Sequence, residues 1–357
     1  MKFHRLSWIL FTLALFGALV GFFISTVSPF SSFFGAIVKD EIKASDLAAQ
    51  VDFDFPLRSS DQVGIRDLAY PSKAIPGELV VHFDNRKDYL AYLEALTNAD
   101  IAPLGQIDEL LAVRIPGSAL LQTNFGQFGA RASYSYPIEC PLPPVEIDPE
   151  ALASLRAYGL SACAITGGFI AGQGEGVIVA ILDSGIQAHS QFDEVYIVPI
   201  DLAGGGVAGP GAAHGTSVAS IITGSEGIAP AAELFVVRVL DNEGLGNSYD
   251  VAQGIVQAVD HGVQIINMSL GVYQDSPLLR QAVKYADDRG VIMVAAAGND
   301  GYNHIPYPAA YSEVLAVTAV DANRQHALFP NQSEEIDFAA PGVGILTAKE
   351  DKGTTLF

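Results

Sequence analysis

Five apolar runs, at residues 177–182, 234–240, 263–270, 291–297 and 314–320, set the pattern of this chain from about residue 149 to residue 357. They are nearly continuous rather than alternating, which marks strands covered on both faces of a parallel sheet. Between them, residues 216–223, 249–260 and 277–289 place apolar side chains at helical spacing. The order predicts an α/β fold with a doubly wound, mainly parallel sheet and right-handed crossovers. The upstream pattern differs. A strand at 78–84, a helix at 85–96 with apolar Tyr89, Leu90, Tyr92, Leu93 and Leu96, and a strand at 110–115 make a small α+β unit spanning 77–125. Residues 126–148, rich in Gly, Pro and aromatics, read as a joint, and residues 39–76 as a linker.

The first 38 residues follow neither pattern. Lys2, His4 and Arg5 precede an uncharged run over 6–38, densest from the lone Trp8 to Ile24. This is a targeting segment whose apolar length lies between a cleaved signal and a retained anchor, and the two readings stand open. The rest of the protein is expected to be exported.

Charge narrows the partners. Lys and Arg total 19 against 40 Asp and Glu, a formal net charge of −21. That argues against a nucleic-acid partner, which calls for a basic face. No cofactor is expected, and calcium capture has no ligand-spaced motif behind it. Cys140 and Cys163 match no zinc spacing. Two readings remain for them: one disulfide in an oxidising compartment, or two buried thiols.

In a sheet of this kind, sites form outside the carboxyl ends of the strands. Asp183 follows the first run, Ser269, Leu270 and Gly271 close the third, and Gly298 and Asn299 close the fourth. His214 opens a helix after the Gly-rich loop at 203–213, where it faces the same crevice. An acid after a strand, or a histidine at a helix start, is ordinarily a cap or a packing residue. Together with an amide donor, they supply what acyl transfer from a peptide needs.

The strings around these residues are specific. Asp183-Ser-Gly185, His214-Gly-Thr-Ser217, Asn267-Met-Ser-Leu-Gly271, Ala296-Ala-Gly-Asn299 and Phe338-Ala-Ala-Pro-Gly342 resemble the subtilisin-like serine protease family (subtilases, peptidase S8) over roughly 176–347. The resemblance implies a subtilisin-like fold and a polypeptide substrate. His214 would act as general base, Asp183 would hold its tautomer, and Asn299 would donate to the oxyanion. The backbone of Ser269, Leu270 and Gly271 would pair with an extended substrate. Ala296, Ala297 and Gly298 would line the pocket for the side chain before the cut bond and admit a sizeable apolar group. The 77–125 unit resembles the family's inhibitor-type propeptide, so the chain's own propeptide is an expected partner. The location implied is extracytoplasmic, either secreted or held at a membrane through residues 6–38.

One element departs from the family pattern. Its serine lies in Gly-Thr-Ser-x-Ala, and no such string follows Asn299. Thr355 in Gly353-Thr-Thr355 is a poor substitute, because only Leu356 and Phe357 follow it and no helix can form there. The chain therefore reads as truncated before the nucleophile, inactive as given, and left with apolar surface uncovered by a missing helix, so that it folds poorly. A non-catalytic relative that binds peptides or partners through the same cleft is the competing reading. A nucleotide-binding protein is disfavoured, since Gly172-Gln-Gly-Glu-Gly176 precedes its strand where the fingerprint must follow one. His82, His189, His261, His304 and His326 read as structural or surface residues.

Overall fold

The computed structural model describes residues 73–123, 125–140, 159–168, 170, 172–326, 330–349 and 353–356. The expected targeting segment and most of the linker lie outside them. Among the described residues, no helix is long and apolar enough to cross a membrane.

The N-terminal unit is a four-stranded antiparallel sheet covered by one helix. Its elements are β1 (Glu78–His82), α1 (Arg86–Asn98), β2 (Gly105–Ile107), β3 (Ala112–Pro116) and β4 (Arg131–Ser133), in the strand order β2-β3-β1-β4. α1 starts where the Asn85 side chain accepts the Asp88 amide at 3.0 Å, satisfying one of the helix's free donors. It buries Tyr89, Tyr92 and Leu96 against Leu79, Val81, Val113 and Ile115. The sheet takes in Arg131–Ser133, past the boundary drawn at residue 125 from sequence.

The larger unit is the expected doubly wound sheet, with seven strands, all parallel. In chain order they are β6 (Ile178–Asp183), β7 (Ile197–Asp201), β8 (Glu233–Arg238), β10 (Ile265–Met268), β11 (Ile292–Ala296), β12 (Val314–Val320) and β13 (Phe338–Pro341). In space the order is β13-β12-β11-β10-β6-β8-β7. Two short antiparallel pairs complete it: β5 (Pro137–Glu139) with β9 (Leu245–Asn247), and β14 (Leu346–Lys349) with β15 (Gly353–Leu356).

Alternation along β6 separates the two faces. Ala180 and Leu182 pack into the cluster with α4 (Ser248–His261) and α5 (Pro277–Asp287). Val179 and Ile181 pack into the other, with α3 (Ala213–Ile222), Ile345, and Ala348 of β14. A four-residue helix α2 (Ala162–Ile165) also lies on that second side. α4 is capped at its start by Asn247, whose side chain accepts the Asp250 amide, and stops at Gly262 with φ +87°.

On the α3 face, Val294, Ala296 and Val317 are fully buried, while Ile292, Leu315 and Phe338 are only half-buried. α3 and β14 are tied together on this face: the Ser217 hydroxyl donates to the Ala348 carbonyl at 3.3 Å, and the Ala348 amide donates to Ser220 Oγ at 3.0 Å.

The two units meet along α4 and α5. Arg114 of β3 pairs with Asp250 at 3.4 Å, and its guanidinium lies 4.4 Å from the centre of the Tyr249 ring. The Gln281 side chain donates to the Leu110 carbonyl at 2.9 Å. Burial raises the Glu78 and Asp250 carboxyls above their ordinary range, with Arg114 opposing in both.

His82, next to this seam, is buried and 2.6 Å from Ser133 Oγ. Burial, then the Arg131 charge, lowers its pKa from 6.5 to about 4, against a hydrogen bond to the Gln281 side chain. A depressed pKa means that His82 contributes stability above 6.5, lost as pH falls through the window down to about 4. The loss reaches at most about 3 kcal/mol. Glu78 and Asp250 act with the opposite sign, since their raised pKa values favour the docked state as pH falls. His82→Asn is therefore expected to flatten the acid side of the pH–stability profile of the N-terminal unit, read from urea midpoints across that window. A variant as acid-sensitive as the parent would remove His82 as the cause.

Candidate active site

Asp183 is the last residue of β6, and it is fully buried at the carboxyl edge of the sheet. His214 lies in the first turn of α3. Asp183 Oδ1 and His214 Nδ1 are 2.6 Å apart, with side-chain exposures of 0% and 8%. Oδ1 also accepts the Ser184 amide at 2.6 Å. The turn after Asp183 ties the two elements together. The Gly215 amide donates to Ser184 Oγ at 3.3 Å, and the Gln187 amide to Thr216 Oγ1 at 2.9 Å. The helix comes this close because Gly215 carries no side chain. A Cβ on Gly215 would sit 2.0 Å from the Gly185 carbonyl oxygen.

Ser269, Leu270 and Gly271 follow β10 at the same edge. Ser269 and Leu270 are fully buried, and Asn267 donates to Ser269 Oγ at 3.1 Å. Ala296, Ala297, Gly298 and Asn299 follow or close β11 and are all nearly buried. Asn299 Oδ1 is buried without a hydrogen-bond partner among the described residues. Gly298 faces the side-chain amide of Asn331, which donates to the Ala297 carbonyl at 2.9 Å.

A pocket of about 420 Å³ opens between these strands, with Gly271, Gly298, Tyr273, Asp300, Tyr302 and Pro306 on its walls. Its rim is aromatic: Tyr302 stacks on His304, and the Tyr273 hydroxyl donates to Asp300 at 2.5 Å. Pro306 narrows it from the side of Gly271.

The cleft holds a piece of the chain itself. β5 lies antiparallel to β9 on one side and bridges Gly271 on the other. The Glu139 amide donates to the Gly271 carbonyl at 3.2 Å, and the Gly271 amide returns the bond at 3.1 Å. The Cys140 amide donates to the Gly244 carbonyl at 3.0 Å. Ile138 is completely buried in the core shared with Leu270, Tyr249 and Val272. Cys140 ends the described part of this segment, with its sulfur 3.4 Å from His214 Nδ1 and 3.6 Å from the Ser269 carbonyl oxygen.

Of the two readings open for the cysteines, the structure has the second: both are free and buried. Burial, reinforced by the Asp183 charge, raises the Cys140 pKa well above the ordinary thiol value, so the thiol stays protonated beside the imidazole. Among the described residues, no group of three His, Cys, Asp or Glu side chains is placed to hold a metal.

Sequence reasoning missed β9 as the second wall and β5 as the occupant. The turn string Asp241-Asn-Glu-Gly244 before β9 was the available signal. It also passed over Arg238, read simply as part of a strand.

Three comparisons bear on this geometry. The family model described as the subtilase family matches residues 174–356. The chain is 42% identical over 185 residues to a thermostable alkaline protease of Halalkalibacterium halodurans, covering 48% of this chain and 49% of that one. It is 40% identical over 185 residues to subtilisin Savinase of Lederbergia lenta, covering 48% and 66%. Among solved structures, fervidolysin of Fervidobacterium pennivorans, a keratinolytic enzyme related to subtilisin, superposes with a TM-score of 0.64 at 25% identity, covering 78% of this chain and 49% of that one. The chain spans only about half to two thirds of the length of these proteins.

Proposed function

The chain belongs to the subtilase family, and from that premise we propose that it carries the acid, the base and the oxyanion donor of an exported serine endopeptidase. The observation that supports this best is the 2.6 Å contact between a buried Asp183 carboxylate and the His214 imidazole at the edge where the chain's own β5 is paired.

In the reaction proposed, a polypeptide lies extended where β5 lies now, exchanging backbone hydrogen bonds with Gly271. His214 takes the proton of a serine hydroxyl as that oxygen attacks the peptide carbonyl, and later returns it to the leaving amine. Asp183 keeps the Nδ1 proton facing it and stabilises the imidazolium. The Asn299 side-chain amide donates to the oxyanion, a contribution of about 3 kcal/mol where such a donor has been removed elsewhere. Ala296, Ala297 and Gly298 receive the side chain before the cut bond. No cofactor enters any step. The four-stranded unit with its extended tail acts as propeptide, holding the cleft through Ile138, Glu139 and Cys140. Export rests on the apolar segment 6–38.

Within these 357 residues, no Gly-Thr-Ser-x-Ala string follows Asn299. The polypeptide as it stands is therefore expected to be catalytically silent. Incubating it with a chromogenic peptide ester should give hydrolysis no faster than a His214→Ala control. Turnover above that control would overturn the assignment of the missing serine. The second reading, a peptide-binding relative without catalysis, is favoured by the occupied cleft. A continuous reading frame with the serine motif past Phe357 decides for the enzyme.

A further inference from the structure

Arg238 is the largest fully buried side chain among the described residues, at 1% exposure, and nothing in the reaction above uses it. It ends β8 directly opposite Asp183 in the strand register. Its guanidinium is spent on the Gly-rich loop and its surroundings. Nε donates to the Leu240 carbonyl at 3.1 Å, one terminal nitrogen donates to the Gly206 carbonyl, and the other to Asn242 Oδ1 at 3.0 Å. Asp201, 3.9 Å away, accepts the amides of Gly204 and Gly206 at 2.8 and 2.7 Å. Asn242 Oδ1 in turn accepts the Gly211 amide at 3.3 Å.

The loop held in this way touches both members of the pair. Midway along it, the Val207 carbonyl accepts the Ile186 amide at 3.0 Å, just past the Asp183 turn. At its end, buried Ala212 leads directly into α3 and His214. A guanidinium fork is suited to this task, because it binds three acceptors in one plane at once, which an ammonium cannot. We propose that Arg238 is a positioning residue for the Asp183–His214 pair, clamping the Gly204–Gly211 loop so that the imidazole meets the carboxylate. The inference rests on the peptidase reading of that pair.

Arg238→Lys keeps the charge and loses the fork. The full chain, labelled with ¹⁵N-histidine and with His214 assigned from His214→Ala, reports the downfield proton shared with Asp183. Arg238→Lys is expected to weaken that proton signal by about half or more. Asn242→Ala, at an exposed position that holds the same loop from outside, should weaken it by less. A signal as intact in both variants as in the parent would overturn the proposal. A parent protein without any proton shared between His214 and Asp183 would instead remove the peptidase reading on which it rests.

Discussion

Ile138→Asp is expected to drive the chain's own segment out of the cleft while the seven-stranded sheet stays folded. Ile138 is completely buried and pairs with Gly246 across the β5–β9 ladder. Removing it forfeits about 2–3 kcal/mol of apolar burial, and a carboxylate left in that site adds several more. The segment's remaining hold is a handful of backbone hydrogen bonds worth about 1 kcal/mol each. Cys140 makes the release visible, because its thiol is buried at 3% exposure only while the segment is docked. In a Cys163→Ser background, the rate of reaction with a thiol reagent should rise by about a thousandfold or more, corresponding to a docking loss of at least about 4 kcal/mol. Ile138→Val, which deletes one methyl, should cost about 1 kcal/mol and raise the rate only several-fold. A thiol that remains as protected in Ile138→Asp as in the parent would mean that this side chain does not hold the segment.

Gly185→Ala should be severely damaging for a single added methyl. Gly185 has φ +105°, a region L-residues rarely adopt, and a Cβ there would lie 2.0 Å from the Val207 carbonyl oxygen. Strain of about 1–3 kcal/mol from the backbone adds to an overpacking cost of similar size. The expected loss is about 4 kcal/mol in urea unfolding. Gly262, at φ +87° after α4 with open space around it, provides the control and should cost about 1 kcal/mol as alanine. Near-equal losses at the two positions would show that the contact with Val207 is relieved at no cost.

The parts of this structure that were legible in sequence share one property: their signal is local. β6, β8, β10, β11 and β12 are interior strands, so both faces are apolar and the runs stand out. Asp183 and His214 were visible because each is fixed by its own neighbours, a strand end and a helix start. β7 was not, because it lies at the sheet edge. Pro199 and Asp201 interrupt its pattern, and all five of its residues but Pro199 are half-buried. β13, the other edge, was visible only as part of the Phe338-Ala-Ala-Pro-Gly342 string and not as a strand. β5 is three residues long, begins with proline, and owes its extended form to partners more than 100 positions away. Composition pointed to a joint there, and no local pattern can reveal a pairing that depends on Leu245–Asn247 and Gly271. Arg238 was hidden for the opposite reason: a lone cation in an apolar strand gives no hint of the loop it will hold until that loop is folded over it.

The strand order also divides the labour between the two residues of the pair unequally. Asp183 ends a strand flanked on both sides by others, so moving it means opening the middle of the sheet. His214 is carried at the end of a glycine-rich span anchored at a few points. Any loosening short of global unfolding will therefore swing the imidazole away from a stationary carboxylate, and evolution can retune the base by editing that span without disturbing the scaffold beneath the acid.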